Sequence, residues 1–159
     1  MFRMHRFQVS KTRLLAVSIG IVYLWFGTLK FFPGVSPAEK LAQDTINQLL
    51  MGLIPPKVSI IMLAVWEVSI GILLVANVLK RPVIIAAIVH MVCTFTPLIF
   101  FPDLSFTNNA LELTLVGQYI IKNLIILSGL FIICPPGKAV TLQANQATHA
   151  DIASRAHSE

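Results

Sequence analysis

Three ionisable residues stand near the middle of long apolar runs in this sequence: Glu67, His90 and Lys122. An ionisable group inside a bilayer costs a few kcal/mol or more unless it faces the protein interior and finds a partner. Such residues therefore mark ligand sites, proton relays or polar joints between helices. Counted inward along its own apolar stretch, Glu67 is about 9 residues from Val58, His90 about 11 from Phe101 and Lys122 about 11 from Leu111. At about 1.5 Å per residue, all three lie roughly 14–17 Å deep. The spacing predicts one polar layer, with Glu67 and Lys122 paired across a helix bundle and His90 hydrogen-bonded to one of them.

Helical periodicity adds neighbours to that layer. Gln118 and Tyr119 lie one turn before Lys122, and Asn123 sits beside it. Ala86, His90, Cys93/Thr94 and Pro97 share a face, as do Ala64, Glu67 and Gly71, and as do Ala16, Gly20, Tyr23, Gly27 and Lys30. Small residues let membrane helices approach closely, so these faces are expected to line the interior. The candidate binding layer is Glu67, His90, Gln118, Tyr119, Lys122 and Asn123, with Lys30 at the outer rim. Lys30 either snorkels to the surface or meets Asp103 or Glu112. The same layer also reads as polar glue between helices, at roughly 0.6–2 kcal/mol per hydrogen bond and with no chemistry attached.

Other chemistries find little support. There are two cysteines and no C-x-x-C. Cys93 and Cys134 are offset by on the order of 15 Å along the helices, beyond the Cα reach of about 7 Å for a disulfide. His90 and Cys93 at i, i+3 offer two metal ligands, where structural zinc takes four and catalytic zinc three. His5, His149 and His157 fall in the terminal segments, so a bis-histidine haem within one chain is excluded and no metal site is expected. No Walker loop, dinucleotide glycine fingerprint or nucleophile elbow occurs.

The elements that must position these residues follow from composition. Of 159 residues, 56% are hydrophobic and only 12% charged. That is about half the charge expected of a soluble domain. A domain this small cannot bury so much apolar side chain in a soluble core. Four stretches are long and apolar enough to span, at about 14–32, 58–79, 82–101 and 111–134. Pro33-Gly34, Pro55-Pro56, Pro82, Pro102 and Pro135-Pro136-Gly137 punctuate their joins. The first stretch is longer than a signal-peptide core and is followed by no small-residue cleavage site, so it reads as a retained helix. The expected architecture is an all-α, integral membrane four-helix bundle over 14–137. A basic segment, 1–13, precedes it and a polar tail, 138–159, follows.

The net charge of +5 comes from residues flanking the apolar stretches. This is the pattern of membrane orientation and argues against a nucleic-acid partner. Arg3, Arg6, Lys11, Arg13, Lys80, Arg81, Lys138 and Arg155 fall on one side, with Lys40 and Lys57 on the other. The positive-inside rule then puts both termini in the cytoplasm. In the first outer loop, Ser36-Pro37-Ala38-Glu39 reads as a capping box with proline at the first helical position. Leu41, Thr45/Ile46, Leu49 and Leu53 then recur on one side, which predicts an amphipathic helix at about 37–51 ended by Gly52.

The segment from Tyr23 to Gly34 (Tyr-Leu-Trp-Phe-Gly-Thr-Leu-Lys-Phe-Phe-Pro-Gly), the Trp66-Glu67 pair with Gly71, and Gly117-Gln118-Tyr119-Ile120-Ile121-Lys122-Asn123-Leu124 resemble the DoxX-like membrane proteins, especially their YkgB-like branch. The resemblance spans roughly residues 13–137. It implies a four-helix protein of a bacterial-type inner membrane, in a family with links to quinone-linked thiosulfate oxidation and oxidative-stress defence. A redox-associated membrane subunit is the leading expectation, with a quinone headgroup near Glu67, His90, Tyr119 and Lys122. Other membrane redox subunits or further copies of the chain would then be its partners. A ligand-free scaffold and a small-solute or proton transporter are the alternatives.

Overall fold

The computed structural model describes residues 2–36, 39–78, 80–107 and 112–135, with side chains from residue 11 onward except that of Lys80. The polar tail at 138–159 and the Pro37-Ala38 start of the amphipathic helix lie outside these residues. The chain is an all-α, integral membrane four-helix bundle. Its helices are α1 (Phe2–Leu29), α2 (Glu39–Leu49), α3 (Pro56–Ala76), α4 (Lys80–Cys93), α5 (Pro97–Phe100), α6 (Pro102–Ser105) and α7 (Leu115–Ile133). Four segments are long and apolar enough to cross a membrane: Lys11–Leu29, Pro56–Ala76, Arg81–Phe100 and Leu115–Ile133. Among the described residues there is no strand, only an isolated bridge between Phe106 and Leu113.

Local chemistry sets the helix ends. α1 does not wait for the apolar stretch at residue 14; nothing between 2 and 13 is glycine or proline, so the helix runs through the basic segment. It stops at Leu29 rather than 32, because Pro33 disfavours a helical Phe32. The chain then tightens, with Lys30 N–H donating to Gly27 O at 3.2 Å and Phe31 N–H to Thr28 O at 3.1 Å. The expected capping box is replaced by a longer reach: the Glu39 carboxylate accepts from Gly34 N–H at 2.7 Å. At the other end of α2, Met51 (φ 50) and Gly52 (φ 75) turn the chain, and Gly52 N–H closes on Asn47 O at 2.9 Å.

α3 begins at Pro56, a first helical position that needs no donor, and ends on left-handed Asn77. α4 starts two residues before Pro82, which sits harmlessly in the first turn. The third span is not one regular helix. Pro97 cannot donate to Cys93 O, and Thr96 supplies both its N–H (3.1 Å) and its hydroxyl (2.7 Å) instead. The turn at 94–96 winds tightly, with Phe95 N–H on Val92 O at 3.1 Å. Thr114 caps α7, its hydroxyl accepting from Gly117 N–H at 3.1 Å, so the fourth helix starts later than residue 111.

Packing is densest between α1 and α3. A Cβ on Gly20 would lie 3.0 Å from Gly71 O, and one on Gly71 would lie 2.9 Å from Gly20 O. Two turns further along α1, a Cβ on Gly27 would meet Glu67 Cβ at 2.9 Å. The two small-residue faces therefore interlock as the sequence implies. Away from α2, Ile19, Tyr23, Ile70, Leu74, Val83, Ile84, Ala87, Met91 and Leu130 form a closed apolar plug. At the other end α2 packs on α3, and the first turns of α3 project beyond the end of α1.

Candidate functional site

Four polar side chains meet above the plug. Lys30 Nζ lies 2.6 Å from Glu67 Oε2, and both residues are buried, at 8% and 7% exposure. The second carboxylate oxygen, Oε1, faces His90 Nε2 at 3.5 Å. The other ring nitrogen of His90, Nδ1, is 3.1 Å from the Tyr23 hydroxyl, which also lies 3.1 Å from Ala87 O. The ammonium of Lys30 also donates to Phe26 O at 3.4 Å. The result is a continuous polar chain, Lys30–Glu67–His90–Tyr23, across α1, α3 and α4.

The helix contacts bring this chain together. Gly27 lets Glu67 approach α1 to backbone distance, and Lys30, one turn along, turns its stem back to the carboxylate. Tyr23 and Lys30 are seven residues apart on the same glycine-bearing face. Tyr23 tilts over the His90 ring, with centroids 5.5 Å apart and planes at 58°. The hydroxyl has one hydrogen and two acceptors in reach. If it donates to Nδ1, then Nε2 carries the ring proton and points it at Glu67. If it donates to Ala87 O, then Nδ1 carries that proton and donates to the tyrosine oxygen. The network thus has two hydrogen-bonding states that differ in where one proton sits.

Lys122 is not the partner of Glu67. It is exposed, with its ammonium 5.0 Å from the ring centre of Tyr119. Gln118 is also exposed and donates to Leu113 O at 3.3 Å. The cause is the rotation of α7. Gly117 is seated against the carbonyl of Ser105, where any Cβ would collide. Lys122, five residues on, is carried roughly 140° round from that contact. Asn123 does turn inward, donating to Thr94 Oγ1 at 3.1 Å. Nor does Lys30 sit at the rim or meet Asp103 or Glu112; its ammonium points into the bundle.

Beside the polar chain lies a cavity of about 340 Å³. Tyr23, Lys30, Glu67 and His90 form its polar wall, with Thr94, Cys93, Tyr119 and Asn123 adding further polar atoms. Val22, Phe26, Leu63, Met91, Ile120 and Ile126 supply apolar walls, and Leu41, Thr45, Ile46 and Leu49 of α2 form a roof. The tightened turn at 94–96 belongs to this wall. Irregular backbone at membrane depth is tolerated where it lines a cavity. Of the sequence candidates, Lys30, Glu67, His90, Tyr119 and Asn123 reach the cavity, and Gln118 and Lys122 do not. Tyr23, Cys93 and Thr94 join it without having been singled out as site residues. For Tyr23 and Lys30 the signal was present, in their shared face with Gly20 and Gly27. Among the described residues no three of His, Cys, Asp and Glu come together as metal ligands.

No family model, curated protein or solved structure matches this chain.

Proposed function

We propose that this chain is a DoxX-like redox-associated subunit of a bacterial-type plasma membrane, and that its cavity binds a quinone headgroup. The observation that carries the reading is the buried Lys30–Glu67–His90–Tyr23 chain on one wall of an otherwise largely apolar cavity. A pocket of about 340 Å³ is at the small end of ligand sites, which run from about 300 to 1,000 Å³. A few convergent polar groups on apolar walls are what orient a small amphiphile.

A quinone, when bound, supplies two-electron, two-proton chemistry, and its carbonyls need donors. Lys30 has three ammonium hydrogens, of which Glu67 and Phe26 O engage two. His90 can present or accept a proton on either side of its ring, and Glu67 and Tyr23 are its two partners. These residues hold and pass protons; electrons are expected from a partner redox subunit. In this reading α2 lies on the outer side and both termini are cytoplasmic, because Lys11, Arg13 and Arg81 flank the opposite end of the bundle.

The test is quinone content and binding. Protein extracted in mild detergent is assayed for bound quinone, then titrated with a tail-less benzoquinone. Lys30→Met and His90→Leu are expected to weaken binding at least tenfold, and Lys122→Met less than threefold. Absence of any bound or added quinone in wild-type protein sinks the reading.

A further inference from the structure

The walls of the cavity differ in what stands behind them. The roof is the apolar side of α2, where Thr45 is buried, while Lys40 and Asn47 are exposed on the far side of that helix. The floor is the closed plug, reached at Tyr23 and Met91. The side between α1 and α7 is different. α7 is seated on α1 at Gly129, against Ile19 and Leu15, and on α6 at Gly117. From the Gly129 contact, Phe26 lies seven residues along α1 and Tyr119 ten along α7. These separations are roughly 10 and 15 Å. Phe26 and Tyr119 both line the cavity, yet they are 44% and 56% exposed. The other exposed lining residues, Leu49 on the roof and Cys93 on α4, each stand alone on their element, whereas Phe26 and Tyr119 lie on the two helices that meet at Gly129. Side chains in membrane-spanning segments that face both a cavity and the outside flank an opening to lipid. Tyr119 is held there by the Lys122 ammonium over its ring.

We infer that the cavity is entered from the bilayer, through a slot between α1 and α7 flanked by Phe26 and Tyr119, and that its ligand is a membrane-dissolved amphiphile whose isoprenoid tail stays in the slot. The inference rests on the quinone reading above and specifies which quinones: tailed, lipid-resident ones rather than water-soluble ones. The cavity volume fits a headgroup, so a tail of several isoprene units has to lie outside it. The headgroup then faces Lys30 and His90, and the tail passes Val22 and Phe26 on one side and Val116 and Tyr119 on the other.

The experiment uses full-length protein in lipid nanodiscs. Two benzoquinones with the same ring, one tail-less and one with three isoprene units, are compared, with the tailed one expressed as mole fraction in lipid. Val22→Trp and Val116→Trp narrow the slot from its two sides, and Leu49→Trp thickens the roof. Relative to the tail-less quinone on the same variant, each slot variant should slow association of the tailed quinone at least tenfold, and Leu49→Trp less than twofold. Thermal unfolding of each variant beside wild type reports that it is folded. The inference is overturned if Leu49→Trp slows entry and the slot variants do not, or if a tail adds nothing to wild-type affinity. If the tail-less quinone binds and only the slot effect is missing, the quinone reading survives alone. If neither quinone binds wild-type protein, both fall.

Discussion

Lys30, just past the last turn of α1, puts its ammonium 2.6 Å from the carboxylate of Glu67, halfway along α3. The two charges are buried together, so each is the main reason the other can be there. Removing one member of a buried pair typically costs about 3–5 kcal/mol, because the survivor is left uncompensated.

Lys30→Met should therefore destabilise the protein by about that 3–5 kcal/mol. Lys30→Met combined with Glu67→Gln should recover most of the loss, since no lone charge remains. Lys122→Met should not lower stability, because it removes a cation from the outward face of a membrane span rather than a member of a buried pair. Thermal unfolding of the four proteins in one detergent, followed by tryptophan fluorescence, checks all three. Equal damage from Lys122→Met and Lys30→Met would contradict the pairing.

Tyr23→Phe keeps the ring and removes the hydroxyl that reaches His90 Nδ1 and Ala87 O. A buried polar group left without its partner costs about 1–3 kcal/mol. In a background of His90→Phe the same change should matter distinctly less, because part of its effect runs through the imidazole. A double-mutant cycle with no coupling between the two positions would place the hydroxyl outside the network.

Gly117 separates two kinds of glycine effect. Its Cβ position is filled by the Ser105 carbonyl, so Gly117→Ala has to displace backbone. Overpacking of this sort costs typically about 1–3 kcal/mol. Gly34 has open space around it and a φ of 76, so Gly34→Ala meets only backbone strain, about 1 kcal/mol. The larger loss should fall on Gly117→Ala, and the reverse order would mean that α7 is not seated on α6 as described.

Four spans put α2 and the α3–α4 turn at opposite ends of the bundle. In a background with Cys93 and Cys134 replaced by serine, a membrane-impermeant maleimide should label Lys40→Cys and Lys57→Cys from one side of the membrane. It should label Arg81→Cys from the other. Labelling of all three from the same side would overturn the four-span topology.

Much of this was legible from residue type and order. Apolar runs, proline breaks and the alternation on α2 identify four spans and a surface helix, because lipid allows so few backbone solutions. The glycine stripes announced the α1–α3 seam, since only small residues permit that approach. The depth of Lys30 was not legible. Counting inward from the end of each apolar stretch assumes that helix ends are level. α3 instead starts well beyond the end of α1, so a lysine near the end of one helix meets a glutamate at the middle of another.

The sequence by itself determined that this is a membrane chain of four helices and that charges within its spans need partners, because the cost of an unpaired charge in lipid is a property of the residue. Only the tertiary structure decided which partner. It did so through the stagger between α1 and α3, set by glycine-to-carbonyl contacts, and the rotation of α7, set by Gly117 on Ser105. Both are packing relations between distant segments, and no spacing within a single helix encodes them.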